Sequence, residues 1–211
     1  NFSGGWERGR SAFEEVAIKL GFSHTVIRKA FDKALALQKA FEEECQAIGK
    51  QALARLHEDP ERWAVVLFGR PYNAFAPEAN KGIPKKLASR GAMVIPFDML
   101  PYESEELGPD YKEYMHWELG QRILRASQIL KRDPQLYGVY ITNFLCAIDS
   151  LLISYFRKIM KTKPSLTLEL DGHTADAGIN TRIEAFFDII NNYLLVQKAI
   201  GDKTSDPDYN P

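Results

Sequence analysis

Apolar residues recur every three to four positions through the first sixty residues, the spacing of one helix face. Ser11 can cap a short first helix, and Gly21 can close it in the left-handed conformation. A second helix, capped by Ser23 or Thr25, carries Ile27, Phe31, Ala34, Leu37, Phe41, Cys45, Ile48 and Ala52 on one stripe. Arg28, Lys39, Glu43 and Lys50 lie opposite. Asp59-Pro60 stops it, because the residue before proline is biased away from the α region. The spacing predicts a helical arm over residues 1–60 that packs along one side of the downstream domain, with Cys45 in its core.

From Trp63 the pattern changes to short continuous apolar runs at 63–68, 92–97, 136–141 and 166–170. Continuous runs of this length suit parallel strands buried on both faces. Helical segments separate and follow them at about 83–89, 111–130, 148–160 and 181–200. Pro96 lacks an N–H, which places the second run at a sheet edge or a strand end. The fourth run alternates with Thr167 and Glu169, as a more exposed face or edge would. The expectation is an α/β fold, Rossmann-like or flavodoxin-like: a doubly wound, four-stranded, mainly parallel sheet flanked by helices over 61–200. The helical arm precedes it, and 201–211 reads as a tail or linker. Tyr114, Met115, Trp117, Ile123, Leu124 and Leu130 read as the core stripe of the 111–130 helix. Lys85, Lys86 and Arg90 read as a solvated face.

Composition narrows the classes. A chain of 211 residues with 45% hydrophobic and 26% charged residues can fold without a disulfide or metal. A net charge of -1 gives no basic surface for nucleic acid. No apolar run nears the roughly 20 residues of a membrane span. Nucleic acid and membrane are therefore not expected partners. Cys45 and Cys146 make no secreted disulfide framework, and no secretory signal is visible, so a reducing cytoplasm is expected. The start at Asn1 suggests a piece of a longer protein.

In open parallel sheets ligands bind beyond the carboxyl ends of the strands, so the chemistry should lie in the loops after each strand. After the first strand come Gly69, Arg70, Pro71, Tyr72 and Asn73. Arg70 could hold a phosphate or carboxylate bidentately, or pair with a neighbouring acid. No GxGxxG or GxxxxGK[ST] loop accompanies it. After the third strand Cys146 falls where strand passes into helix, between Asn143 and Asp149. Helix-end N–H groups there favour a thiolate, the form that attacks electrophiles and binds metals; a buried packing cysteine is the alternative. After the fourth strand, Thr-Arg-Ile-Glu at 181–184 has the form of a capping box and predicts a helix start near Thr181. Arg182 in that first turn would oppose the macrodipole and call for an acid (Asp171, Asp176 or Glu169) or an anionic ligand. No Ser–His–Asp arrangement can be drawn, and no catalytic residue is assigned.

The segment Thr-Asn-Phe-Leu-Cys-Ala-Ile-Asp-Ser at 142–150, with Leu-Glu-Leu-Asp at 168–171 and Gly-Ile-Asn-Thr-Arg-Ile-Glu-Ala-Phe at 178–186, resembles the 2-hydroxyacyl-CoA dehydratase subunit superfamily. With Phe-Gly-Arg-Pro-Tyr-Asn at 68–73, it is most similar to the dehydratase-like region of large CoA-substrate enzyme activases, in which that region is fused to ATP-binding activator modules. The resemblance spans roughly 23–196. It implies Rossmann-like domains that hold an iron–sulfur cluster between them, with Cys146 at the position of one cluster ligand. Arg70, Asn73, Asn143 and Arg182 would line the inter-domain cleft. The implied partners are other domains of the same parent chain, including an ATP-binding activator module. The implied cofactor is a [4Fe–4S]-type cluster completed by ligands outside this chain; none is expected in this chain alone, which should be inactive by itself. The family's cysteines from the preceding domain are absent here, Ala147 stands where glycine is common, and ATP-binding motifs are missing. A non-catalytic docking module that has lost the cluster is the alternative reading.

Overall fold

The computed structural model describes residues 6–143 and 146–204. Four strands, β1 (Ala64–Phe68), β2 (Met93–Pro96), β3 (Leu136–Asn143) and β4 (Ser165–Leu170), form one sheet in the order β2-β1-β3-β4. Every pair is parallel. Pro96 ends the edge strand β2, and β4 is the opposite edge, as the runs at 92–97 and 166–170 predict. The helices are α1 (Arg10–Lys19), α2 (His24–His57), α3 (Pro71–Ala74), α4 (Ile83–Ala88), α5 (Pro109–Tyr114), α6 (Glu118–Arg132), α7 (Ala147–Met160) and α8 (Asp176–Thr204).

Strand side chains alternate between two cores. Ala64, Val66, Phe68 and Tyr140 face Ile123, Leu124 and Leu130 of α6 and Leu152 and Phe156 of α7. Val65, Leu67, Val139 and Ile141 face Ile83 and Leu87 of α4 and Ile183, Phe186 and Ile190 of α8. The doubly wound expectation is met.

Several local expectations change. The 111–130 segment is two helices: Met115-His116-Trp117 breaks it, Met115 tucks into the core, and Tyr114 turns to solvent. Lys86 and Arg90 are not a solvated face. Lys86 Nζ donates to Lys81 O and reaches Asp176, while Arg90 donates to Asn180 and Glu184, so both tie the α4 region to α8. The last helix begins at Asp176 rather than near Thr181. Thr181 Oγ1 donates back to Ala177 O, one turn earlier, instead of capping. Tail positions 205–211 lie outside the described residues, and α8 continues to Thr204.

The stripe of α2 is buried only in part. At 34 residues this helix is about 51 Å long, far longer than the sheet it flanks. Phe31 packs on Phe13 of α1, with ring centroids 5.6 Å apart. Near its other end α2 meets the turn after β2. An added Cβ on Gly49 would lie 1.9 Å from Met99 O, so only glycine permits this approach. Between these contacts Leu37 and Phe41 are 63% and 59% exposed. Cys45 is buried, as its place on the stripe predicts.

Candidate functional site

The chain runs from β1 outward to β2 and then returns to β3 on the other side of β1. Strand order thus reverses between β1 and β3, which opens the crevice that α/β sheets use for ligands. The loops after these two strands carry Arg70 and Cys146. Their meeting arises from topology and not from separation in sequence.

Gly69 sets the first loop. Its φ is +143°, and a Cβ there would lie 2.5 Å from Ile141 O of the neighbouring strand. Arg70 comes next, with extended dihedrals at the N-cap position of the short α3, and Pro71 opens that helix. Cys146 is the N-cap of α7, and its Sγ accepts from Asp149 N at 3.4 Å. The sulfur also accepts from Arg70 Nη2 at 2.7 Å. The sulfur thus serves as acceptor for two donors, one from each loop or helix end that meets there. Residues 144 and 145 of the quoted motif lie outside the described residues.

Beneath the sulfur sits Asp149, with no solvent exposure. Its Oδ1 is 3.3 Å from Arg70 Nε, and its Oδ2 takes Arg70 Nη2 at 3.3 Å and Thr142 Oγ1 at 2.8 Å. A buried carboxylate demands such compensation, and Arg70 supplies the charge. The pairing of Arg70 with an acid, one of its two sequence readings, is what the structure contains. Tyr140 lies against the same group. Burial, reinforced by the Asp149 charge, holds its phenol well above the usual tyrosine range, so it stays a neutral wall. The Arg70 guanidinium also stands 4.9 Å from the centre of the Tyr72 ring, and Asn143 Nδ2 donates to the Tyr72 hydroxyl at 3.2 Å.

Of the residues singled out by sequence, Arg70 and Cys146 touch, Asn143 joins them through Tyr72, and Asn73 is buried in α3 beside them. Arg182 does not join them. With α8 starting at Asp176 it is no longer in the first turn, and its Nη2 donates to Thr167 O at 2.6 Å, three residues before the end of β4. The acid or anion expected for Arg182 is thus replaced by a backbone carbonyl. Sequence reading missed Thr142 and Tyr72 as members of the cluster. Asp149 offered a signal, since an acid in the first turn of a helix beside an arginine-bearing loop is a natural ion-pair partner.

An iron–sulfur cluster asks more of the donor set than these residues provide. Among the described residues no group of three or more His, Cys, Asp and Glu side chains could hold a metal ion. Cys45 is in a separate cavity with Phe41 and Met99. A cluster takes about four thiolates, and the sequence has two cysteines, Cys45 on α2 and Cys146 at the start of α7. No described helix is long and apolar enough to cross a membrane.

Residues 2–100 match the family model described as CoA enzyme activase uncharacterised domain (DUF2229). The matched stretch contains the helical arm, β1, the Arg70 loop and β2, whereas β3, Cys146, Asp149 and β4 lie beyond it. Over its first part the chain is therefore similar to a CoA enzyme activase domain. No curated protein and no solved structure matches it.

Proposed function

We propose that this chain is an α/β module of a CoA enzyme activase-type protein that presents one guanidinium-bound sulfur, Cys146, at the edge where it meets another domain. The observation that carries the reading is the Arg70–Cys146–Asp149 arrangement at the reversal of strand order, together with the match of residues 2–100. In the dehydratase-like proteins that the sequence resembles, a cysteine at this place is a cluster ligand. Cys146 would then supply one of about four thiolates, with the others from a neighbouring domain and an ATP-binding activator module as the electron source. No redox step is assigned to this chain's own residues. Arg70 and Asp149 orient the sulfur, and Tyr72 and Asn143 flank its approach.

A specific observation favours a second reading. The Cys146 sulfur already takes two hydrogen bonds within the chain, as it would in a docking module whose cysteine only caps α7. Iron and acid-labile sulfide measured on the native protein, isolated anaerobically beside its Cys146→Ala version, separate the two. Loss of iron in the variant supports ligation. Equal iron in both forms, or none in either, refutes it and leaves the docking module.

A further inference from the structure

Beside Cys146, the carboxyl ends of β1, β3 and β4 border an open cavity of about 490 Å³ lined by Tyr72, Asn73, Lys81, Asn143, Asp171 and neighbouring residues. Asn73 is the anomaly in it. The residue is 1% exposed, and its Nδ2 has no hydrogen-bond partner among the described residues. An unpaired buried donor costs free energy that a bound acceptor would return.

The remaining polar groups point to the same kind of ligand. The Tyr72 oxygen accepts from Asn143, which leaves the phenolic proton for another acceptor. Lys81 Nζ uses one N–H on Thr174 O at 2.6 Å and keeps two. Asp171, the acid of the lining, is turned into its own loop. Its Oδ1 accepts from His173 N at 2.9 Å and from Thr174 Oγ1 at 2.6 Å. Among the described residues the cavity therefore offers free donors and the Lys81 ammonium, while Oδ1 of its carboxylate is held by neutral donors of its own loop.

We propose that this cavity binds a small oxyanion, the carboxylate or phosphate group of a ligand, through Asn73 Nδ2, the Tyr72 hydroxyl and the Lys81 ammonium. The site is independent of any metal role for Cys146. Its place beside the sulfur would hold an anionic molecule against the domain edge.

Inorganic phosphate and acetate, titrated separately into the isotope-labelled 211-residue chain, test this by amide chemical shifts. Saturable shifts at residues 72, 73, 81 and 143 are expected with at least one of them. Phosphate alone would identify a phosphoryl ligand, and acetate alone a carboxylate. Asn73→Asp should abolish the shifts by setting a negative charge against the anion. Lys81→Met should weaken binding about tenfold, the effect expected on losing one charge-assisted hydrogen bond. Tyr72→Phe, on an exposed side chain, should weaken it several-fold. Absence of saturable shifts with both anions, or shifts unaltered in Tyr72→Phe and Lys81→Met, overturns the proposal.

Discussion

Removing the Arg70 side chain is the sharpest perturbation of the site. In Arg70→Met the Asp149 carboxylate stays fully enclosed and keeps the Thr142 hydroxyl as a donor but loses its counter-charge. Breaking a buried ion pair from one side costs about 3–5 kcal/mol. The Arg70 side chain is 21% exposed, so water screens the pair in part and the lower end, about 3 kcal/mol, is expected. For a chain of this size that corresponds to a fall in Tm of about 6–12 °C. Asp149→Asn keeps the shape and can retain a bond to Thr142 while removing the charge, so it should cost less. Urea denaturation of both single variants and the double variant closes a mutant cycle, and a coupling of at least about 1.5 kcal/mol is expected between side chains in contact. A cost below about 1 kcal/mol for Arg70→Met, or single costs that simply add, would refute the reading that Arg70 compensates the buried Asp149 charge.

Three other perturbations have defined outcomes. Lys163, buried with its Nζ donating to Leu130 O and Asp133 O, has its pKa pushed down to about 8 by burial, partly offset by the Asp133 charge. The unfolded chain then binds more protons there, so Lys163 should lower stability below about pH 8 and release that penalty as pH rises towards the unfolded pKa of about 10.4. Denaturation between pH 8 and 9.5 should show this rise in the native sequence and not in Lys163→Met; matching slopes would reject it. Gly49→Ala gains about 1 kcal/mol of helix propensity, yet its Cβ would meet Met99 O at 1.9 Å. The clash should win, for a net loss of about 1–2 kcal/mol by thermal melting, whereas an unchanged or raised Tm would show that α2 can lift from the β2 edge without cost. Under native conditions iodoacetamide should label Cys146 at least about tenfold faster than Cys45, which is buried on α2 and whose thiol burial pushes up. Comparable rates by peptide mass spectrometry would contradict that difference in access.

The elements of the sheet are legible in the chain because each is a local pattern. Runs such as Val65-Val66-Leu67 are too short for a helix of the core and too uniformly apolar for a one-sided strand, so they specify buried parallel strands. Pro96 likewise marks the edge by its missing donor. The short-range caps are less legible, because Thr181 and Glu184 fit a capping box locally while packing of Ile179 in the core extends α8 back to Asp176. The exposed middle of α2 is a similar case. Its stripe states which residues could be buried, and the length of the sheet decides which are.

Cys146 at a strand-to-helix junction and Arg70 behind a strand-ending glycine are determined by the sequence alone, since both depend on where the apolar runs stop. Their contact is not. It depends on the strand order β2-β1-β3-β4, which sets β1 and β3 side by side and brings together residues 76 positions apart. The same arrangement buries Asp149 against Thr142, leaves Asn73 Nδ2 without a partner among the described residues, and sends Arg182 to a backbone carbonyl of β4. Residue types and local periods are written along the chain, whereas burial, counter-charge and the direction of a donor are properties of the packed sheet and exist only once its strands are in order.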